Sequence, residues 1–142
     1  DKCEEEAGKT DDPEYKKELM ELAEICRYVP FHPARTFQEA VQSIFMVLLA
    51  VHMESNGHAI SLGRFDQYVY PLYKKDIEEG RITKEKALEI IECFFIKCNE
   101  LNKLRSWPDT EFFMGYQMFI NLAICGQTVE GFQECVFRRA EN

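Results

Sequence analysis

Apolar residues recur at helical spacing along most of this chain, and that pattern predicts its elements. Over 13–27, Leu19, Leu22 and Cys26 share a face, and Pro13 suits a first helical turn, where an N–H has no partner to lose. Val29-Pro-Phe-His-Pro33 breaks the pattern, because two prolines three apart impose extended or turn backbone. Thr36-Phe-Gln-Glu39 has the form of a capping box, with Thr as N-cap and Glu at N3, and it predicts a helix running to about Met53. From Ile44 onward apolar residues cover every side of that helix, so it is expected to be buried all round inside a larger body.

Asn56-Gly57 marks a turn, and Ala59 to Leu62 reads as a short extended link closed by Gly63. A helix is expected over 65–79 with Tyr68, Leu72 and Tyr73 inward, Pro71 near its start or kinking it, and Gly80 as the C′ residue. Ala87, Ile91, Phe94, Cys98 and Leu101 alternate four and three apart, which predicts an amphipathic helix over 83–104. Ser106 to Thr110 is a loop, Phe119 to Ile124 reads as a buried strand, and Gly126-Gln-Thr and Glu130-Gly131 are turn-like. Residues 1–12 are polar and read as a frayed terminus or linker. The sum is a mainly α chain with one or two short strands.

Length and charge narrow the classes. A chain of 142 residues builds one core and is short for two. Apolar content of 46% and charged content of 30% are those of a soluble protein, and a net charge of −8 argues against a nucleic-acid surface. The longest apolar run, Ile44 to Val51, falls far short of the ~20 residues of a membrane helix, and with no targeting signal visible, reduced thiols in a cytoplasm are the expectation. The chain opens on Asp-Lys-Cys-Glu-Glu-Glu and reads as a fragment of a longer product. Its six cysteines include no Cys-x-x-Cys pair. Cys93 and Cys98 lie about 140° apart around a helix. With three scattered histidines, no metal site is expected, and the thiols are expected to be reduced.

The candidate chemistry gathers in the stretch from Glu54 to Tyr68. His58 follows a Gly in a tight turn, so its ring can be presented to a small polar substrate as a hydrogen-bond partner or proton carrier. The plainer reading is a loop histidine satisfied by backbone. Arg64 and Asp66 flank Phe65; they could hold a carboxylate or metal, but more often such a pair caps a helix and forms a local ion pair. Glu54 ends the apolar helix, where its charge opposes the dipole, and Arg64 is a natural partner. His52 reads as a core histidine and His32 as structural. Cys125 and Cys135 sit in no catalytic motif, and Gly57 and Gly63 form no phosphate loop.

These motifs, in order, resemble the large pyruvate formate-lyase-type domain of the glycyl radical enzymes. The residues that carry the resemblance are Pro33-Ala-Arg-Thr-Phe-Gln-Glu-Ala40, Glu54-Ser-Asn-Gly-His58, Ser61-Leu-Gly-Arg-Phe-Asp-Gln-Tyr68, Tyr70-Pro71, Asp76-Ile-Glu-Glu-Gly-Arg-Ile-Thr83 and Asn121-Leu-Ala-Ile-Cys-Gly-Gln-Thr128. The resemblance implies a segment of the first half-barrel in a ten-stranded α/β barrel, spanning 13–131, with 132–142 a non-matching tail. It implies that His58 and Ala59 occupy the positions of a substrate-binding His-Ser pair, with Asn56, Arg64 and Asp66 supporting the turn. Ala59 lacks the hydroxyl of that pair; the acetyltransferase branch has two small apolar residues there. In the family a thiyl radical on a Cys loop abstracts hydrogen, and a radical S-adenosylmethionine activase installs the glycyl radical that feeds it.

Neither radical loop has its pattern in this chain, Glu134-Cys-Val-Phe137 being only a faint echo of the first. The family's Gly-Gly-Gln-Thr is Cys125-Gly-Gln-Thr here. The expectation is therefore a fragment of a dehydratase, lyase or formate acetyltransferase, inactive alone, with no cofactor or catalytic residue of its own. The parent would be an anaerobic homodimer acting on a small molecule, and the rest of the barrel would be the fragment's partner. The alternative is a small helical scaffold or interaction protein, which predicts a closed core. A fragment predicts an exposed apolar side on the helix over 36–53.

Overall fold

The structure is a computed structural model that describes residues 2–55, 59–101, 107, 108, 111, 120–124, 126–128 and 131–133. The N-terminal segment read as a polar end is helical over Lys2–Ala7 (α1), and it folds back on α2, Pro13–Tyr28. Two features of the sequence explain this. Ala7 is small enough to be fully shielded against the neighbouring helix, and Glu4 forms an ion pair with Arg27 at the far end of α2. Asp12 starts α2 by accepting the N–H groups of Glu14 and Tyr15 at 2.9 and 3.3 Å.

Helix α3, Phe37–Glu54, opens as the capping pattern requires, with Thr36 Oγ1 accepting the Glu39 N–H at 3.2 Å. The second half of the box differs. Glu39 reaches past the N-cap to the Arg35 N–H at 2.7 Å and to the Arg35 guanidinium, whose Nε lies 3.1 Å away. The charge-assisted bonds outcompete a neutral one. The guanidinium also lies 3.7 Å over the Tyr28 ring, which ties the end of α2 to the start of α3.

A second anchor comes from Asp76 near the end of α4, Phe65–Glu78. Its buried carboxylate accepts the Phe37 N–H at 2.7 Å, placing negative charge on the α3 N-terminus, and accepts Arg81 Nε at 2.8 Å. Gly80 holds Arg81 there. At φ +67° it closes α4 with Gly80 N–H to Ile77 O (3.1 Å) and Arg81 N–H to Asp76 O (2.8 Å), the paired bonds of a Schellman end. Pro71 sits in the second turn of α4, inside the helix, on its exposed side. Helix α5, Lys84–Asn99, is capped by Thr83 and stops short of the expected 104. The Glu100 N–H turns to Ile96 and Lys97 carbonyls there, while Leu101 still packs on the core. Positions 102–104 lie outside the described residues. Cys98 is buried and Cys93 exposed, as their angular separation requires.

Phe37, Val41, Leu48, Phe65, Val69 and Phe94 form the core, with Phe65 stacked on Phe94 at 5.2 Å and 13°. Helix α3 is not buried all round. Leu48 and His52 face inward, but Val47, Leu49, Val51 and Met53 are exposed, Met53 at 71%. Helices α4 and α5 cover one side of α3, and no described residue covers these four.

Four short strands complete the order. β1, Ile60–Arg64, pairs in parallel with β2, Ile120–Ala123, while β3, Gly126–Thr128, and β4, Gly131–Gln133, form an antiparallel hairpin. The glycines read as turn signals at 126 and 131 thus pair within strands. β2 alternates half-buried and exposed positions and is not a buried strand throughout. No helix among the described residues is long and apolar enough to cross a membrane.

Candidate functional site

The candidate site is built where α3 hands over to β1. Ser55 ends α3 with its N–H on the Val51 carbonyl at 2.8 Å, and Ala59 is exposed at the mouth of β1. Asn56 and His58, the centre of the predicted site, lie outside the described residues. Along β1, Ile60 and Leu62 pack on the helical core while Ser61 is exposed. Along β2, Ile120 and Leu122 do the same while Asn121 is exposed. Register places Ser61 directly opposite Asn121. The parallel pair therefore has one face on the helices and one face carrying Ser61 and Asn121, open among the described residues.

A bulge ends that face. The register slips between Ser61 and Gly63, and Gly63 sits at φ +66°, a conformation that costs a side-chain-bearing residue roughly 1–2 kcal/mol. Tyr68 answers the slip. Its hydroxyl donates to the Leu62 carbonyl at 3.0 Å, so the ring stands half exposed beside the strand and not inward as its helical position suggested. Burial pushes the phenol above its usual range, which keeps it a donor at neutral pH.

Arg64 and Asp66 differ in burial. Arg64 is the exposed N-cap residue of α4, with no side-chain cap bond, whereas Asp66 is fully buried at the second helical position, where the dipole favours a carboxylate. His52 is 3% exposed, the core histidine expected, and His32 stacks on Tyr28 at 4.8 Å. Among the described residues no cluster of three or more His, Cys, Asp or Glu could hold a metal. Burial raises the Cys98 thiol to about 11, so it is an inert core thiol.

Ser61 and Asn121 were not singled out by sequence reasoning. The signal was present in the matched alternations Ile60-Ser-Leu62 and Ile120-Asn-Leu122, each apolar–polar–apolar. A hydroxyl and an amide side by side supply donors and acceptors for a small polar group.

Helices backing a parallel strand pair are the arrangement of an α/β fold, open sheet or barrel. A family model described as pyruvate formate lyase-like matches residues 1–135, and the chain belongs to that family. It is 43% identical over 127 residues to the isethionate sulfite-lyase of Nitratidesulfovibrio vulgaris, a match covering 88% of this chain and 15% of that protein. The solved structure of 1,2-propanediol dehydration in Roseburia inulinivorans superposes with a TM-score of 0.86 at 48% identity, covering 91% of this chain and 15% of that one. A glycyl radical enzyme from Archaeoglobus fulgidus gives 0.85 at 39% identity, covering 98% and 18%. The chain is homologous to glycyl radical dehydratases and lyases, and it spans about 15% of the length of the curated relatives it matches.

Proposed function

We propose that this chain is the part of a glycyl radical dehydratase or lyase that supplies one wall of the substrate cavity. The observation that carries the proposal is the parallel β1–β2 pair, whose helix-free face sets Ser61 against Asn121, with Ser61 three residues after His58 in the sequence. Helices pack outside such a barrel, so the opposite face is its interior. The substrate is a small polar molecule. His58 binds or deprotonates its hydroxyl, and Ala59 leaves room where a second hydroxyl donor would stand. Asn56, Arg64 and Asp66 hold the turn and the start of α4 in place.

The imidazole favours a hydroxylated substrate over an acyl one, because a buried ring facing an apolar group would lose its hydrogen bond. The hydrogen-abstracting chemistry comes from the Cys and Gly radical loops, whose patterns this chain lacks; the chain alone is therefore inactive. In the cell its partners are the remainder of the barrel, a second subunit and a radical S-adenosylmethionine activase, in an anaerobic cytoplasm. A formate acetyltransferase is less well supported, since the relatives reported above are a lyase and a dehydration enzyme.

The test is His58→Ala in a full-length enzyme carrying this segment. Turnover should fall by about two orders of magnitude, while the glycyl radical signal in electron paramagnetic resonance is unchanged. Unaltered turnover would remove His58 from the substrate. The scaffold alternative predicts a closed core, and the apolar residues of α3 exposed among the described residues speak against it.

A further inference from the structure

Helices α1 and α2 form an antiparallel hairpin, and its contacts share one register. Glu4 pairs with Arg27 at one end. Nearer the turn, Ala7 and Ala23 are each almost wholly shielded, at 1% and 0% exposure. In both pairs the residue numbers sum to about thirty. Cys3 and Cys26 fall on the same register, each next to a member of the ion pair. Small residues at the Ala7–Ala23 level let the two helices approach closely, which is the condition for sulfurs on facing helices to meet. Both cysteines are half-buried thiols, accessible to a small reagent.

We propose that Cys3 and Cys26 are a reversible dithiol–disulfide pair that clasps α1 to α2 when the protein meets a low-molecular-weight disulfide. Burial raises the Cys26 thiol first, and the charge of Cys3 raises it further, so the two sulfurs sense each other electrostatically. The exchange balances. One cysteine thiolate attacks the small disulfide and expels a thiolate, and the second attacks the mixed disulfide and expels the other. Two protein thiols are oxidised, one small disulfide is reduced to two thiols, and the two protons lost by the cysteines pass to the expelled thiolates.

The competitor is also visible. Cys26 lines a groove of about 490 Å³ between α2, α3 and α5, and Cys93 lines the same groove. Lys86 of α5 lies 3.8 Å from Glu18 of α2 across the same groove. Cys3 has the advantage of the antiparallel hairpin and its short connection.

The experiment treats the 142-residue chain, at a concentration where it stays monomeric, with oxidised glutathione. Remaining thiols are then alkylated and the peptides mapped without reduction. In native buffer the Cys3–Cys26 cross-link should be the main product. It should vanish in Cys26→Ser and persist in Cys93→Ser. Exchange of the α1 amides should slow by about tenfold or more once the bond forms, because the hairpin can no longer open. In concentrated urea the bias should shift to Cys93–Cys98, since the shorter loop closes more readily. A native product pattern equal to the urea pattern overturns the proposal. So does a dominant Cys26–Cys93 bond, or glutathione left as a mixed disulfide on both Cys3 and Cys26.

Discussion

The two ends of α3 are built on opposite plans. At the first turn each main requirement is met within the chain. Thr36 caps, Glu39 answers Arg35, Asp76 takes the Phe37 N–H, and the Phe37 ring lies fully buried, 5.5 Å from Tyr73. Over the last two turns Val47 and Val51 on one flank, and Leu49 and Met53 on the other, are exposed with nothing described upon them. One helix thus combines a closed end, whose partners lie within 45 residues, and an open end. The open end lies beside the strand pair, where two parallel strands alone are too few for an independent sheet. Local completeness at one end and apolar residues left exposed among the described residues at the other fit a segment of a barrel wall.

The largest expected effect lies at the closed end. Asp76→Ala removes the acceptor for a helix N-terminus and leaves the Arg81 guanidinium with Glu79 as its carboxylate partner. The loss should be about 3 kcal/mol, read as a fall in the urea midpoint at constant m-value. Asp76→Asn keeps one acceptor oxygen and should lose less. Equal losses in the two variants would mean that the anchor works through packing and not through its hydrogen bonds.

Next comes the pH response of the same end. Burial alone would raise the Glu39 carboxyl, but its bonds from the Arg35 side chain and backbone outweigh burial and leave it below the usual 4.5. A depressed folded-state pKa contributes stability that is present above the unfolded value. That contribution is lost as pH falls from about 4.5 through the lower folded value. Glu39→Gln should therefore lose about 1 kcal/mol at neutral pH, Arg35 being half exposed. It should also flatten the stability profile over that acid window. A variant whose acid profile overlays that of the parent would show that other carboxylates govern the window.

This division also marks what was legible in the sequence. The closed end was readable because its signals are local: Thr36 and Glu39 three apart, Gly80 after α4, Thr83 before α5. Asp76 was not, since its partner Phe37 is 39 residues away and nothing near it in sequence names the bond. Tyr68 was placed inward by period alone, but the bulge at Leu62, invisible without a register, drew its hydroxyl to the strand. The apolar run from Ile44 predicted burial all round, and four of its residues are exposed among the described residues, because apolar composition alone does not say what packs on each side of a helix. The parallel pair joins residues 60 apart, so the meeting of Ser61 with Asn121 needed the fold.

The smallest change in stability is expected at the open end, and it tests the comparison most directly. Met53 is 71% exposed, so Met53→Ser removes little buried area and should alter unfolding stability by no more than about 0.5 kcal/mol. The same change, combined with Val47→Ser, should lower binding of a fluorescent apolar dye and reduce self-association, because it interrupts both exposed flanks of α3, Val47 with Val51 and Leu49 with Met53. In a full-length enzyme the sign of the asymmetry reverses. If barrel polypeptide covers both flanks, the two serines would each bury a hydroxyl in an apolar contact, and the loss should reach about 1–3 kcal/mol apiece. A loss that large in the isolated chain would mean the flanks are already packed within it, and the open end of α3 would not be open.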